Sequence, residues 1–221
     1  NDNVKGTSYA LGKNALHIGP GAWTGNWMDW RYSEHEVFAD NKYYNDFTLN
    51  LRAAILKKPA SPYFGYGIFF HATNINGNLN SYVFQFDGGY NGSFLIMKLS
   101  GVESLYKSGN TLIKVRPEDL YKLTKDPFWK SDDWSLNDSK SEWYKSHIIQ
   151  ITAAKSNFTV YIDGRNVITF QDESYGAGTI GFRSWYDTEV YISDVYVLAP
   201  GGEKLKDKNI KQNDCFQPDS N

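Results

Sequence analysis

From His147 to Val197 nearly all of the chain alternates apolar and polar residues with period two, and that rhythm constrains the fold more than any other feature. A helix presents one face every 3.6 residues, so sustained alternation places these residues in strands with one buried side. Ile149, Ile151 and Ala153 share one side of a first strand, and Phe158, Val160 and Ile162 share one side of a second. Asp163-Gly164 follows, a dipeptide that tolerates positive φ at both centres of a two-residue hairpin turn. Ile168 and Phe170 continue on the return strand. After a turn at Tyr175–Gly178, Ile180 and Phe182 point inward while Gly181 and Arg183 point away, and a last strand runs from Glu189 to Leu198. The pattern predicts a five-strand antiparallel meander whose apolar face needs a second sheet to cover it.

The earlier chain supplies that second layer. Ala15–Ile18 reads as a short strand stopped by Gly19-Pro20-Gly21, and Glu36–Asp40 as another. Phe47–Ile55 alternates most cleanly. Tyr66, Ile68, Phe70 and Ala72 form the next inward face, with Gly67, Phe69 and His71 opposite; Tyr82, Phe84 and Phe86, then Phe94–Leu99, complete the set. Residues 100–145 break the rhythm, with one short helix predicted over Arg116–Leu123, where Pro117 and the acids Glu118 and Asp119 suit a first turn. No βαβ alternation occurs. The expected fold class is all-β, a two-sheet antiparallel β-sandwich with one short helix in an insertion. The expected organisation is a polar leading segment (1–14), the sandwich (15–199) and a polar tail or linker (200–221).

Composition narrows function by exclusion. A net charge of −2 gives no support for a nucleic-acid or anionic-membrane partner. No apolar run approaches the length of a membrane helix, and Cys215 alone permits no intrachain disulfide. The start at Asn1 rather than Met suggests a processed or truncated chain, which allows an exported module cut from an anchor. Aromatic residues make up 16% of the chain, with seven Trp and sixteen Tyr, an excess that is the first hint of function.

The run FTVYIDGRNVITF, followed by GTIGFRSWYDTEVYISDVYV, resembles the C-terminal half of concanavalin A-like lectin/glucanase domains, nearest their laminin-G-like and levan-binding-module-like branch. The matching features are Asp163-Gly164, the strand Gly178–Arg183 and the Asp194-Val195 pair, and the likeness spans residues 15–198. It implies a concanavalin A-like jelly roll. Val195 and Val197 have the opposite parity from Val190 and Ile192, so a bulge near Ser193-Asp194 is expected. Domains of this kind also occur on type IV pilins of Gram-positive bacteria, and that looser resemblance implies an extracellular or cell-surface adhesive lectin, with pilus or surface subunits as further partners. The glycosidase branch of the superfamily carries its acids on an E-x-D-x-x-E strand. No such strand is present, so the reading leans away from an enzyme and assigns no catalytic residue.

Two sets of residues suit glycan binding, because indole faces stack on sugar C–H bonds while charged neighbours hold hydroxyls. The first is a loop with Trp23, Trp27 and Trp30 beside Asp29 and Arg31. The second joins Arg183, Trp185, Tyr186 and Asp187 to the insertion around Trp129, Asp132, Asp133 and Trp134; separately, His71 on the outward side of its strand is a candidate ligand contact in a concave sheet, or a satisfied surface histidine. Each has a plainer alternative, in which the Trp rings cap the sandwich and the charges form surface ion pairs. Asp132, Asp133 and Asp138 are dense enough to consider calcium, but they lack a calcium-loop pattern and no cofactor is expected. The function expected is a non-catalytic carbohydrate-binding or adhesive module whose partners are glycans or glycoproteins; the alternatives are a glycoside hydrolase or lyase on the same fold, and a structural pilus or surface subunit.

Overall fold

A computed structural model describes residues 9–12, 15–19, 34–39, 42–75, 78–102 and 109–199. Its strands are β1 (Tyr9–Gly12), β2 (Ala15–Ile18), β3 (Glu34–Phe38), β4 (Phe47–Ile55), β5 (Gly65–Ile75), β6 (Asn78–Asp87) and β7 (Ser93–Val102). They continue as β8 (Asn110–Val115), β9 (His147–Ala154), β10 (Asn157–Ile162), β11 (Arg165–Gln171), β12 (Thr179–Trp185) and β13 (Val190–Leu198). Among the described residues the one α-helix is α1 (Pro117–Thr124), between β8 and β9. The larger sheet has the order β1-β2-β13-β4-β9-β10-β11 and the smaller β3-β12-β5-β6-β7-β8, every pair antiparallel. Among the described residues no helix is long and apolar enough to cross a membrane.

Alternation builds the core as expected. Phe47, Leu49, Leu51, Ala53 and Ile55 of β4 are buried against Tyr66, Ile68, Phe70, Phe84, Phe86 and Ile96 of the facing sheet. The hairpin at Asp163-Gly164 has positive φ at both centres (48° and 75°), the geometry that matches the twist of the flanking strands.

The five-strand meander does not form. Only β9, β10 and β11 pair in sequence; β12 crosses to the smaller sheet between β3 and β5, and β13 returns to lie between β2 and β4. Alternation records which side of a strand is buried, and both sheets bury one side against the same core, so period alone cannot say which sheet a strand joins. The crossing is made at residues 172–178, where Gly178 exchanges two backbone hydrogen bonds with Tyr44 (2.9 and 3.1 Å). A Cβ on Gly178 would lie 2.3 Å from the His71 carbonyl carbon, so only glycine fits the approach.

Strands also form where none was expected: β1 within the leading segment, and β8 within the interrupted region. The bulge in β13 is present, the register slipping between Ser193 and Tyr196. Val197 regains the core side, whereas Val195 sits in the bulge and is exposed.

A second bulge corrects the placement of His71. The register of β5 slips between Phe70 and Thr73, and His71 takes φ 51°, which turns its side chain to the core. There it packs edge-on to Phe158 (5.3 Å), with Nδ1 3.2 Å from Tyr175 O and Nε2 2.9 Å from Asn45 O. Ala72 takes the outward position, in a second apolar cluster with Phe69, Val83, Leu95, Met97 and Leu99. Part of the outward side of the smaller sheet is therefore apolar and buried as well, unusual for an antiparallel sheet.

The insertion after α1 closes one end of the sandwich. Trp129, Trp134 and Trp143 are buried and meet Phe86 and Phe94 at centroid distances of 4.6–6.0 Å. Trp134 Nε1 donates to Phe128 O (2.7 Å) and Trp143 Nε1 to Trp134 O (2.8 Å), so both indole donors are satisfied inside. Tyr144, whose hydroxyl donates to Leu136 O, has its pKa pushed up to about 12 by burial. His147 fastens the plug to the hairpin: Nδ1 lies 2.6 Å from Asp163 Oδ2, Nε2 lies 2.7 Å from Glu142 O, and the ring stacks on Trp134. Burial alone would raise the Asp163 pKa, but hydrogen bonds from His147 and the Ile148 N–H outweigh it and hold it below the usual value.

Candidate functional site

The turn between β12 and β13 brings charge, aromatic surface and backbone strain to one corner. Tyr186 has φ 53°, a conformation that costs a non-glycine residue roughly 1–2 kcal/mol. Asp187 then reaches across to the β4–β5 loop, where its Oδ2 accepts the Ala60 N–H (2.6 Å) and the Ser61 N–H (3.4 Å). Its Oδ1 is buried and accepts no hydrogen bond from the described residues. Thr188 Oγ1 accepts the Gly65 N–H (3.0 Å), which pins the turn to the start of β5. On the loop, Tyr63 is 58% exposed, and its ring lies 6.2 Å from that of Tyr186.

From this corner a polar row runs back along the outward side of the smaller sheet. Arg183 stands opposite Glu36 on one side and Gly67 on the other, and Gly67 in turn stands opposite Gln85. Trp185 stands opposite Gly65, whose other neighbour is Asp87. The two glycines make room. A Cβ on Gly67 would lie 2.9 Å from Arg183 Cγ, and one on Gly65 would lie 2.3 Å from the Trp185 ring. With that clearance the Arg183 guanidinium packs 4.8 Å from the Trp185 ring centroid, a cation–π distance. Arg183 and Trp185 are only 3% and 7% exposed, and Gln85 and Asp87 are also buried.

The structure separates residues that the sequence joined. Arg183, Trp185, Tyr186 and Asp187 do form one corner, but Trp129 and Trp134 lie on the core side of the smaller sheet, against Phe94, and offer no face to a ligand. Asp132 and Asp133 are exposed on the outside of the plug. The link between plug and corner is the β4–β5 loop, through Lys58 Nζ donating to Asn137 O (3.0 Å). Among the described residues no three His, Cys, Asp or Glu side chains gather as a metal ion would require. The loop with Trp23, Trp27, Asp29, Trp30 and Arg31, and Cys215 in the tail, lie outside the described residues.

Tyr63, Gln85 and Asp87 escaped the sequence reading. The signal was Gly65-Tyr66-Gly67: two glycines on one side of a strand mark a place where another group approaches the backbone closely.

No family model matches the sequence, and no characterised protein matches it by sequence. Solved structures do match. The carbohydrate-binding module CBM66 from Bacillus subtilis superposes with a TM-score of 0.59 at 14% identity, covering 89% of this chain and 93% of that one. A Bacillus subtilis protein with a galectin-like fold gives 0.58 at 13% identity, covering 87% and 86%. The fold is a concanavalin A-like, galectin-like sandwich. A glycosidic hydrolase also matches, with a TM-score of 0.50 at 12% identity over 86% of this chain and 78% of its own. Identities this low speak for fold alone, and the same architecture carries both binding and hydrolytic sites.

Proposed function

We propose that the chain is a carbohydrate-binding module that holds glycans at the Tyr63–Tyr186–Asp187 corner. The observation that carries the reading is the exposed Tyr63 ring beside Tyr186, at the mouth of a row holding Trp185 and Arg183. A sugar's C–H face would stack on Tyr63, with the part-buried Asp187 carboxylate holding the loop beneath it through the Ala60 and Ser61 N–H groups. The strained Tyr186 backbone fits a side chain kept in place for its contacts. One matching structure supports the assignment by what its own name says of it, a carbohydrate-binding module.

The setting we assign is extracellular or cell-surface, and the role non-catalytic and adhesive. The sequence resemblance supports both, together with the lack of an E-x-D-x-x-E strand. Partnership with pilus subunits rests on the resemblance alone.

The test is a glycan array followed by calorimetry on the best ligand. Binding of millimolar to micromolar strength is expected, unaffected by chelators, and Tyr63→Ala with Tyr186→Ala should weaken it about tenfold or more, the equivalent of roughly 1.4 kcal/mol. Retained binding in the double variant would remove the corner from consideration. Release of sugar products from β-glucans, fructans or host glycans would replace the binding reading with a hydrolase.

A further inference from the structure

The outward side of the larger sheet, on the face of the sandwich opposite the Arg183 row, carries a groove of its own. Its volume is about 120 Å³, and Asn50, Leu51, Arg52, Ile148, Asp194 and Tyr196 line it. The β13 bulge opens it. Ser193 stands opposite Arg52 and Tyr196 opposite Asn50, so Asp194 and Val195 together face the single residue Leu51, with Asp194 at φ 54°. The strand bends there and leaves space beside β4.

Asn50 is the feature that calls for a ligand. It is 7% exposed, its Oδ1 accepts from Gln150 Nε2 (2.9 Å), and its Nδ2 is buried and donates to nothing among the described residues. Turning both amides over would orphan the Asn50 oxygen instead, so one polar atom is left over either way. Buried polar atoms are nearly always paired in native proteins, and an orphan marks a place where a further group completes the bonding.

The walls define that group. Arg52 Nε lies 3.5 Å from Asp194 Oδ2, so the charges cancel and neither anion nor cation is favoured. Ile148 and Tyr196 are 45% and 38% exposed and add apolar surface. The Arg52–Asp194 pair is long and solvent-facing, so Arg52 can swing aside to admit a ligand at little cost. At about 30 Å³ per water the groove holds about four waters, room to seat one edge of a small ring and too little for a chain.

We propose that this groove is a second binding site, for one neutral polyhydroxylated ring such as a monosaccharide unit. One hydroxyl accepts from Asn50 Nδ2, a neighbouring hydroxyl donates to Asp194 and accepts from Arg52, and the ring's C–H edge lies on Tyr196 and Ile148. The site stands on its own residues and does not depend on the Tyr63–Asp187 corner.

The test is amide NMR of the whole chain during titration with glucose, galactose, mannose, fructose and N-acetylglucosamine separately, each to about 50 mM, which suffices for a Kd of order 10 mM. At least one sugar should shift the Asn50 side-chain amide and the backbone amides of Arg52, Ile148 and Tyr196. Ile148→Trp, which fills the groove from an exposed position, should abolish those shifts, and Arg52→Ala should weaken binding several-fold. The Tyr63→Ala, Tyr186→Ala double variant should leave them intact. Unmoved groove amides with all five sugars would overturn the proposal, as would shifts that survive Ile148→Trp or vanish with the corner variant.

Discussion

Replacing Trp134 with alanine separates a structural plug from a sugar platform. The ring is 4% exposed and packs against Phe94 (5.4 Å), Trp129 (5.3 Å) and Trp143 (5.3 Å), while its Nε1 donates to Phe128 O. Burial of an indole removes roughly 150–250 Å² from water, worth about 4–6 kcal/mol at 25 cal/mol per Å². Measured Trp→Ala losses of about 3–5 kcal/mol fit that scale once partial collapse of the cavity is allowed. His147, stacked on the same ring, loses packing too, so the upper half of that range is expected. Urea denaturation of wild type and variant gives the difference directly, and the thermal midpoint should fall by about 8–20 °C. Glycan affinity at the corner, measured well below the variant's midpoint, should change less than about threefold. A loss below about 1 kcal/mol, or a stable variant that no longer binds, would show that Trp134 faces a ligand and that the plug is misassigned.

Two further outcomes follow from particular contacts. Gly178→Ala should destabilise by about 2 kcal/mol or more, because the new Cβ would meet the His71 and Ala72 backbone at 2.3–2.7 Å, whereas Gly176→Ala, with open space around it, should be nearly neutral; equal losses in a denaturation experiment would contradict the tight crossing. Asp172 accepts from the Tyr82 hydroxyl (2.5 Å), Lys98 Nζ (3.2 Å) and the Ser174 N–H (2.8 Å). Burial opposes its charge, but these bonds and the Ser174 hydroxyl outweigh it and hold its pKa well below the usual value. Its stabilising contribution is therefore complete above about pH 4 and is lost as the pH falls through the lower folded value. Asp172→Asn should flatten the acid limb of a stability-versus-pH curve, and an unchanged limb would argue against the network.

Arg183 shows how much of the site was legible. Its parity against Ile180 and Phe182 placed it on the outward side of its strand, where it is. Its row-mates were hidden, because Gln85 and Asp87 stand on β6, almost a hundred residues earlier, and meet Arg183 and Trp185 only across β5. His71 failed for a local reason: one bulge reverses the parity of everything beyond it, and period-two counting assumes none. Trp129 and Trp134 failed for a chemical one. An indole amid acids can cap a core or hold a sugar, and its burial is decided by what packs on it.

By itself the sequence determined that the chain is made of strands, which side of most strands is buried, where the 163–164 hairpin turns and that β13 bulges. These are local matters, set by side-chain alternation and by the φ that Asp and Gly accept. The tertiary structure decided which sheet each strand joined, which Trp rings were sealed inside, and that Tyr63 would stand beside Tyr186 and Asn50 beneath a bulge a hundred and forty residues away. Those depend on cross-strand register, and register is settled by the simultaneous burial of both apolar faces.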